Sequence, residues 1–244
     1  MRFRQAAGYA GLATAWFLAA GAGSAPTPDN IAKGKPYTLE PAPNYALCAD
    51  EMDGVQLTDG AYTKGYFWTQ PGTVGWTLNA PFVAITLDLG AVVPIAGVSC
   101  NMAAGAAEVT WPTCIFILTS DDGKAFRHEG DLVELDSAHG APPPEGYCVR
   151  RYWTDTLAAA GRFVKLVVKT DGPYVFLDEV EVYRGSRARQ PQSGKAVVDI
   201  ADLNVTWHVQ RRLRNDLAAV RSVVRGLPGN QRLERELSDI ETAI

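Results

Sequence analysis

Three acidic residues, Asp178, Glu179 and Glu181, lie close together in a segment with the pattern of a strand. Residues 176–183 alternate between apolar and polar side chains and include β-branched and aromatic types, which predicts a half-buried strand. Carboxylates on such a strand cost free energy unless they are exposed, hydrogen-bonded or bound to a cation. The polar turn at residues 57–60, far upstream, is the partner that we predict for this strand.

Residues that could carry catalysis are few. The chain has three histidines, His128, His139 and His208, and it has no His-Glu-x-x-His, Gly-x-Ser-x-Gly or phosphate-loop motif. The carboxylate pair Asp121–Asp122 lies in a predicted turn, where solvation is a sufficient explanation. We therefore predict that the chain as given is not an enzyme.

Charge is divided unevenly along the chain. Residues 23–184 carry 11 Lys/Arg against 20 Asp/Glu, a net charge of −9, whereas residues 185–244 carry 10 against 7, a net charge of +3. Phosphate backbones are bound by basic surfaces, so the acidic part argues against nucleic acid as a partner. The same charge is compatible with a bound cation and with neutral ligands.

The first 22 residues predict export. A positively charged start precedes an apolar stretch at residues 6–20, and small residues follow, so residues 1–22 have the pattern of a signal peptide cut after Ala22. An uncleaved membrane anchor is the alternative, although the apolar stretch is short for a membrane span. The mature protein is expected in the periplasm, on the cell surface or outside the cell, with no membrane span.

The four cysteines, Cys48, Cys100, Cys114 and Cys148, have two interpretations. Export makes them candidates for disulfides, with Cys100 and Cys114 flanking one apparent loop. Alternatively, all are free thiols buried as small apolar side chains. Their spacing does not suggest a zinc site.

Between residues 30 and 183 the sequence predicts short strands separated by turns. Pro, Gly, Asn and Asp break it into β-type segments at residues 83–90, 95–100, 113–120, 125–128, 131–135 and 162–169. Many short strands with turn signals between them predict an all-β sandwich or barrel, which we place at residues 23–184.

The remaining sequence predicts a linker at residues 185–196 and a helical hairpin connector at residues 197–244. Apolar residues recur at intervals of three and four on either side of a break at residues 227–230, which predicts an antiparallel pair with a coiled-coil type of seam. The linker is expected to weaken docking of the hairpin on the sandwich. An unfinished seam predicts a further partner, either a downstream catalytic domain or a second helical copy. The seam residues are Val209, Leu213, Leu217, Val220, Val224, Leu227, Leu233, Leu237, Ile240 and Ile244.

An ordered set of segments resembles a known family. These segments lie at residues 30–36, 57–60, 85–90, 120–126, 162–166 and 178–182. Together they resemble the discoidin, or factor V/VIII type C, domain of the galactose-binding-like superfamily. The resemblance implies a jelly-roll β-sandwich whose loops at one end hold the ligand.

The resemblance also implies a structural calcium ion. Relatives often hold Ca²⁺ near the segment that matches residues 57–63, closed by the acid that matches Glu179. Ca²⁺ prefers six to eight oxygen ligands, and Asp59, Thr63 and Glu179 are the predicted ones, with Asp53 a nearby oxygen source. The alternative is that Asp59 only caps its own turn.

Many bacterial relatives are carbohydrate-binding modules attached to secreted glycoside hydrolases. Sugar sites need flat aromatic faces together with polar groups, and Trp68 and Trp76 are better explained as core residues. We therefore expect a secreted, non-catalytic carbohydrate-binding module within a larger glycan-processing protein. Alternatives are an extracellular adhesion or assembly module that binds protein, and the amino-terminal portion of a glycoside hydrolase. The predicted ligand-binding residues are Tyr66, Trp111, Arg151, Trp153 and Tyr174.

Overall fold

The computed structural model describes residues 29–186 and 196–243. The predicted signal peptide, residues 1–22, lies outside the described residues, as does most of the predicted linker. The strands are β1 (Tyr37–Glu40), β2 (Val74–Thr77), β3 (Val83–Ala104), β4 (Pro112–Ser120), β5 (Arg127–Asp131), β6 (Cys148–Thr154), β7 (Ala159–Thr170) and β8 (Tyr174–Arg184). The α-helices are α1 (Leu132–Leu135), α2 (Ile200–Val224) and α3 (Gln231–Ala243).

Strand β3 belongs to both layers of a sandwich. Its first half pairs with β1 and β7, and its second half pairs with β6 and β8, all antiparallel. One layer therefore has the order β1-β3-β7-β4-β5 and the other has the order β2-β8-β3-β6. Apolar side chains from both layers, including the fully buried Trp76, Leu87 and Ile117, fill the space between them. The predicted jelly-roll β-sandwich is confirmed.

Two predicted strand boundaries are wrong. The segments at 83–90 and 95–100 are one continuous strand, which changes register between Asp88 and Val93. The predicted strand at 131–135 is instead the end of β5 followed by helix α1. Asp131 explains the change, because its carboxylate accepts hydrogen bonds from the backbone N–H of Val133 (3.0 Å) and of Ile115 (2.9 Å). An aspartate that accepts from an N–H two residues ahead is a typical start for a helix.

Strand β8 is buried on both sides, so the prediction of a half-buried strand is wrong. Its pairing with β3 shifts register between Glu179 and Leu177, which leaves Asp178 as an extra residue. This bulge reverses the side-chain alternation, so Leu177 and Val180 both face the main core. Phe176, which shares its parity with Val180 in the sequence, packs in a separate aromatic cluster.

Helix α2 docks on the outer face of the β1-β3-β7-β4-β5 layer, contrary to the expectation that the linker weakens docking. Leu203 and Trp207 pack on Phe116 of β4 and its neighbours. Arg211 binds Asp171 at 2.8 Å, and Arg214 binds Glu134. Strand β4 is consequently buried on both faces. Apolar residues at the start of α2, which are distinct from the predicted seam, make this contact with the sandwich.

Helix α3 folds back on α2, as the predicted hairpin requires. Val224 and Leu237 are buried between the helices, and Arg221 bonds Glu241 at 2.9 Å. Other predicted seam residues remain exposed: Val209, Leu213, Val220, Leu227, Leu233 and Ile240. Of the described helices, none has the length and apolar character needed to cross a membrane.

The four cysteines, all of which the structure describes, are free thiols. Cys48, Cys100 and Cys114 are buried and Cys148 is half-buried. Burial raises the pKa of the Cys48 thiol to about 12, so this group behaves as a small apolar side chain. The structure agrees with the free-thiol interpretation.

Candidate functional site

One end of the sandwich carries the long loops. Ala104 at the end of β3 lies opposite Cys148 at the start of β6, and Thr77 at the end of β2 lies opposite Tyr174 at the start of β8. The loops at residues 41–73, 105–111, 140–147 and 171–173 therefore meet at this end, which we call the loop end. Arg184 and the isolated bridge at Asn30 lie at the opposite end.

Three aromatic side chains form a cluster at the loop end. The ring centre of Tyr66 lies 4.5 Å from that of Tyr147 and 5.6 Å from that of Trp68. The Tyr147 hydroxyl donates to the Gly65 carbonyl at 2.5 Å and accepts from the Phe67 N–H at 3.3 Å. Tyr66 is 55% exposed, and the half-buried rings of Trp68 and Tyr147 pack against it, so they support an aromatic face on the surface.

Tyr174 joins the same surface through a buried floor. Phe176 lies beneath Trp68 at 5.7 Å and beside Tyr45 at 4.8 Å, and Tyr45 contacts Tyr174 at 5.7 Å. Gly75 makes this packing feasible, because a Cβ there would lie 2.8 Å from the Phe176 ring. The structure thus brings the predicted residues Tyr66 and Tyr174 onto one aromatic surface.

Trp111 lies in a separate pocket of about 220 Å³. Its indole N–H donates to the Pro143 carbonyl at 2.9 Å, and its ring lies 6.3 Å from that of Tyr152. Arg150 borders this pocket and is fixed by the buried Asp136 at 2.5 Å. The Nε atom of Arg150 is buried and has no hydrogen-bond partner among the described residues.

Arg151 and Trp153 do not join the aromatic surface. Both lie on β6, where Arg151 bonds to the carboxylate of Glu181 and to the hydroxyl of Tyr183. The Trp153 ring stacks on His139 with centres 4.1 Å apart. Contacts within the chain therefore explain the placement of both side chains.

The two acids at the β8 bulge are buried beneath the loop at residues 57–63. Asp178 accepts from the Thr63 N–H at 2.6 Å and from the Asn101 side-chain amide at 2.7 Å. Glu179 Oε2 accepts from the Gly60 N–H at 3.1 Å, whereas its Oε1 has no hydrogen-bond partner within the described part of the chain. Burial raises the pKa of Asp178 to about 6. Burial is the main reason that the pKa of Glu179 is raised to about 8. Repulsion from Asp59, Glu181 and Asp178 raises it further.

The fit of these residues to a calcium ion is partial. Buried Glu179 Oε1 is an acceptor without a donor, which a cation would satisfy. Asp59 is exposed and accepts from the Ala61 N–H at 2.6 Å, which is the turn-capping arrangement. Within residues 29–186 and 196–243, no group of three or more His, Cys, Asp or Glu side chains could hold a metal. A calcium ion here would need hydroxyl or backbone carbonyl oxygens as well, which Ca²⁺ accepts.

Several residues of the site were not predicted from the sequence. Tyr45 and Tyr147 are part of the aromatic surface, and Asn101 is a partner of Asp178. Lys33 lies against the turn, where a Cβ on Gly60 would be 3.0 Å from its Nζ. The position of Tyr147 directly after Gly146, at the end of a Pro-rich loop, was a usable signal.

No family model matches the chain, and no curated protein matches it. Similar solved structures include CpGH89CBM32-6 of Clostridium perfringens, with 18% identity, a TM-score of 0.40, and coverage of 64% of this chain and 100% of that one. Chitosan-binding module 1 from a chitosanase/glucanase of Paenibacillus sp. IK-5 has 18% identity, a TM-score of 0.41, and coverage of 63% and 98%. The lectin domain of Lectinolysin, complexed with Lewis B antigen, has 20% identity, a TM-score of 0.46, and coverage of 65% and 98%.

The strand pairing itself defines the fold, since β3 joins two antiparallel layers and β8 closes the sandwich beside it. The chain has the fold of a two-layered antiparallel β-sandwich.

Proposed function

We propose that this protein is a non-catalytic carbohydrate-binding module whose ligand lies on the aromatic surface at the loop end. The observation that carries the proposal is the exposed ring of Tyr66, which Tyr147 and Trp68 hold in a fixed orientation. A rigid aromatic face binds the apolar side of a sugar ring at low entropic cost.

Polar groups for sugar hydroxyls lie beside Tyr66. Lys64, Thr69 and Gln70 are close to Tyr66 in the sequence of the same loop, and the Gln70 amide donates to the Thr69 hydroxyl at 3.2 Å. The net charge of −9 over residues 23–184 favours neutral glycans over polyanions. Tyr174 offers a second ring at the far side of the same surface.

The proposal includes a structural calcium ion at the β8 bulge. Glu179 and Asp59 would hold it, with the Thr63 hydroxyl and backbone carbonyls of the adjoining loop as further oxygen sources. When bound, the ion would neutralise the buried carboxylate and fix the loop that leads into Tyr66. We also propose export of the mature protein to the periplasm, cell surface or extracellular space, on the pattern of residues 1–22, and a place in a larger glycan-processing protein.

A glycan array probed with the full chain tests the function. Retention of specific neutral glycans, competed by the same free glycan and lost on heat unfolding, is the expected result. The absence of any glycan above background for folded protein, with or without added calcium, would contradict the proposal. Such a result would instead favour a module that binds protein.

A further inference from the structure

Helix α2 carries an exposed apolar stripe that nothing in the proposed function uses. Its members are Val205 (61% exposed), Val209 (53%), Leu213 (44%), Val220 (48%), Val223 (67%) and Leu227 (48%). Leu227 lies three residues beyond the end of the helix. Contiguous exposed apolar surface on a soluble protein commonly marks an interaction site.

The stripe lies on the side of α2 that faces away from the sandwich. The five members within α2 follow one another at intervals of four, four, seven and three, which keeps them on one face of a helix with 3.6 residues per turn. The docked side chains Leu203, Trp207 and Arg211 occupy the opposite face. Helix α3 covers Val224 and leaves the stripe open.

Two charged residues interrupt the stripe near its middle. Arg212 and Asp216 are 85% and 69% exposed at their side chains, and they lie 3.9 Å apart along the helix. Asp216 fills the gap of seven residues between Leu213 and Val220. The centre of the stripe therefore carries one positive and one negative charge.

We propose that a second copy of this chain covers the stripe, with the two α2 helices antiparallel and related by a two-fold axis near residue 214. In this arrangement Arg212 of each copy faces Asp216 of the other, so two ion pairs form across the interface. Parallel pairing would place Arg212 against Arg212 and Asp216 against Asp216, which is repulsive. The stripe is self-complementary only in the antiparallel direction, and a two-fold interface requires such self-complementarity.

A lipid surface fits the stripe less well. Helices that lie on membranes present basic residues beside an uninterrupted apolar face. Here Asp202 and Asp216 lie on the stripe side of the helix, and a carboxylate is costly to bury in lipid.

The axis of the proposed dimer lies beside the loop ends. Helix α2 begins near Phe126, whose carbonyl accepts from the Val198 N–H at 2.9 Å, and it reaches Asp171 at the loop end through Arg211. Residue 214 follows directly, so the two-fold axis brings the loop ends of both copies towards a common centre. Dimerisation itself does not depend on the proposed function.

Sedimentation of the full chain at concentrations from about 1 to 100 µM tests the proposal, because a dimer dissociates on dilution by mass action. The wild-type chain is expected to reach twice the monomer mass, and Leu213→Glu is expected to remain a monomer throughout. Ala218→Glu is the matched control, since Ala218 is exposed on the other side of the same helix. This variant is expected to dimerise like the wild type.

Charge reversal tests the antiparallel pairing without removing an apolar side chain. Arg212→Glu places acid against Asp216 of the other copy and is expected to weaken dimerisation at least tenfold. Adding Asp216→Arg restores opposite charges and is expected to restore the dimer. A wild-type chain that stays monomeric over the whole range would overturn the proposal, as would a dimer that both Leu213→Glu and Arg212→Glu leave unchanged.

Discussion

Gly60 and Glu179 are joined by a hydrogen bond of 3.1 Å from the backbone N–H of the first to Oε2 of the second. This bond attaches the polar loop to the closing strand of the sandwich. The partner oxygen, Oε1, is buried and has no hydrogen-bond partner among the residues that the structure describes. A cation would stabilise a carboxylate in this position, because burial and adjacent acids oppose its charge.

Calcium is expected to stabilise the fold through Glu179. An ion that binds only the folded chain contributes about 2.7 kcal/mol at a hundredfold excess over its Kd. Chelator should therefore lower the melting temperature of the full chain, and Glu179→Gln should abolish most of that response. Asp121→Asn, which changes an acid in a distant turn, should leave the response intact. If chelator leaves the melting temperature of the wild-type chain unchanged, the calcium proposal is wrong.

Acidification is expected to weaken the docking of α2. His208 Nε2 lies 3.0 Å from Lys169 Nζ. Desolvation lowers the pKa of His208, and the positive charges of Lys169 and Arg211 lower it further, whereas the negative charge of Asp171 opposes the shift. The unfolded histidine takes up its proton near pH 6.5, whereas the folded one resists it, so the stability that His208 contributes falls as the pH drops below about 6.5. Protonation of the buried acids Glu179 and Asp178, whose pKa values are raised, acts in the opposite direction.

Thermal melts between pH 7.5 and pH 5.5 measure this effect. His208→Gln keeps an acceptor for Lys169 and cannot gain the charge, so its melting temperature should rise relative to that of the wild type as the pH falls over this interval. Equal changes in both proteins would assign the pH dependence to other groups.

Trp207 is expected to stabilise the whole chain. Its ring packs on the outer face of the sandwich and lies 5.0 Å from Lys169 Nζ, so Trp207→Ala should remove both contacts. The ring is only partly buried, so a loss of about 1–3 kcal/mol in the free energy of unfolding is expected, below the value for a fully buried tryptophan. Urea denaturation measures it, with Asn215→Ala, at an exposed position, as the control. A change within error of the control would mean that α2 does not dock in solution.

The sequence predicted the sandwich because alternation and turns are local signals. Two of its failures, the bulge in β8 and the docking of α2, share a physical cause, since both depend on contacts between distant segments. The bulge at Asp178 is stabilised by Asn101 and Thr63, and no local pattern specifies them. The two apolar faces of β4 indicated a covering element, but only the fold identifies that element as the start of α2.

The candidate site was predictable in part. Tyr66 and Tyr174 were selected as loop aromatics, and the structure places them on one surface. Arg151 and Trp153 were selected on the same grounds, but β6 directs them towards Glu181 and His139. Loop aromatics are recognisable in a sequence, whereas the surface that they share depends on the path of the strands.

A calorimetric titration of the best array glycan into Tyr66→Ala and Trp153→Ala tests the central claim most directly. Both variants lose one partly exposed aromatic ring, but only Tyr66 belongs to the aromatic surface. Circular dichroism melts establish that each variant is folded. Tyr66→Ala is expected to bind at least about tenfold more weakly than the wild type, a loss of about 1.4 kcal/mol, whereas Trp153→Ala is expected to bind as the wild type does. Full affinity in folded Tyr66→Ala would contradict the account.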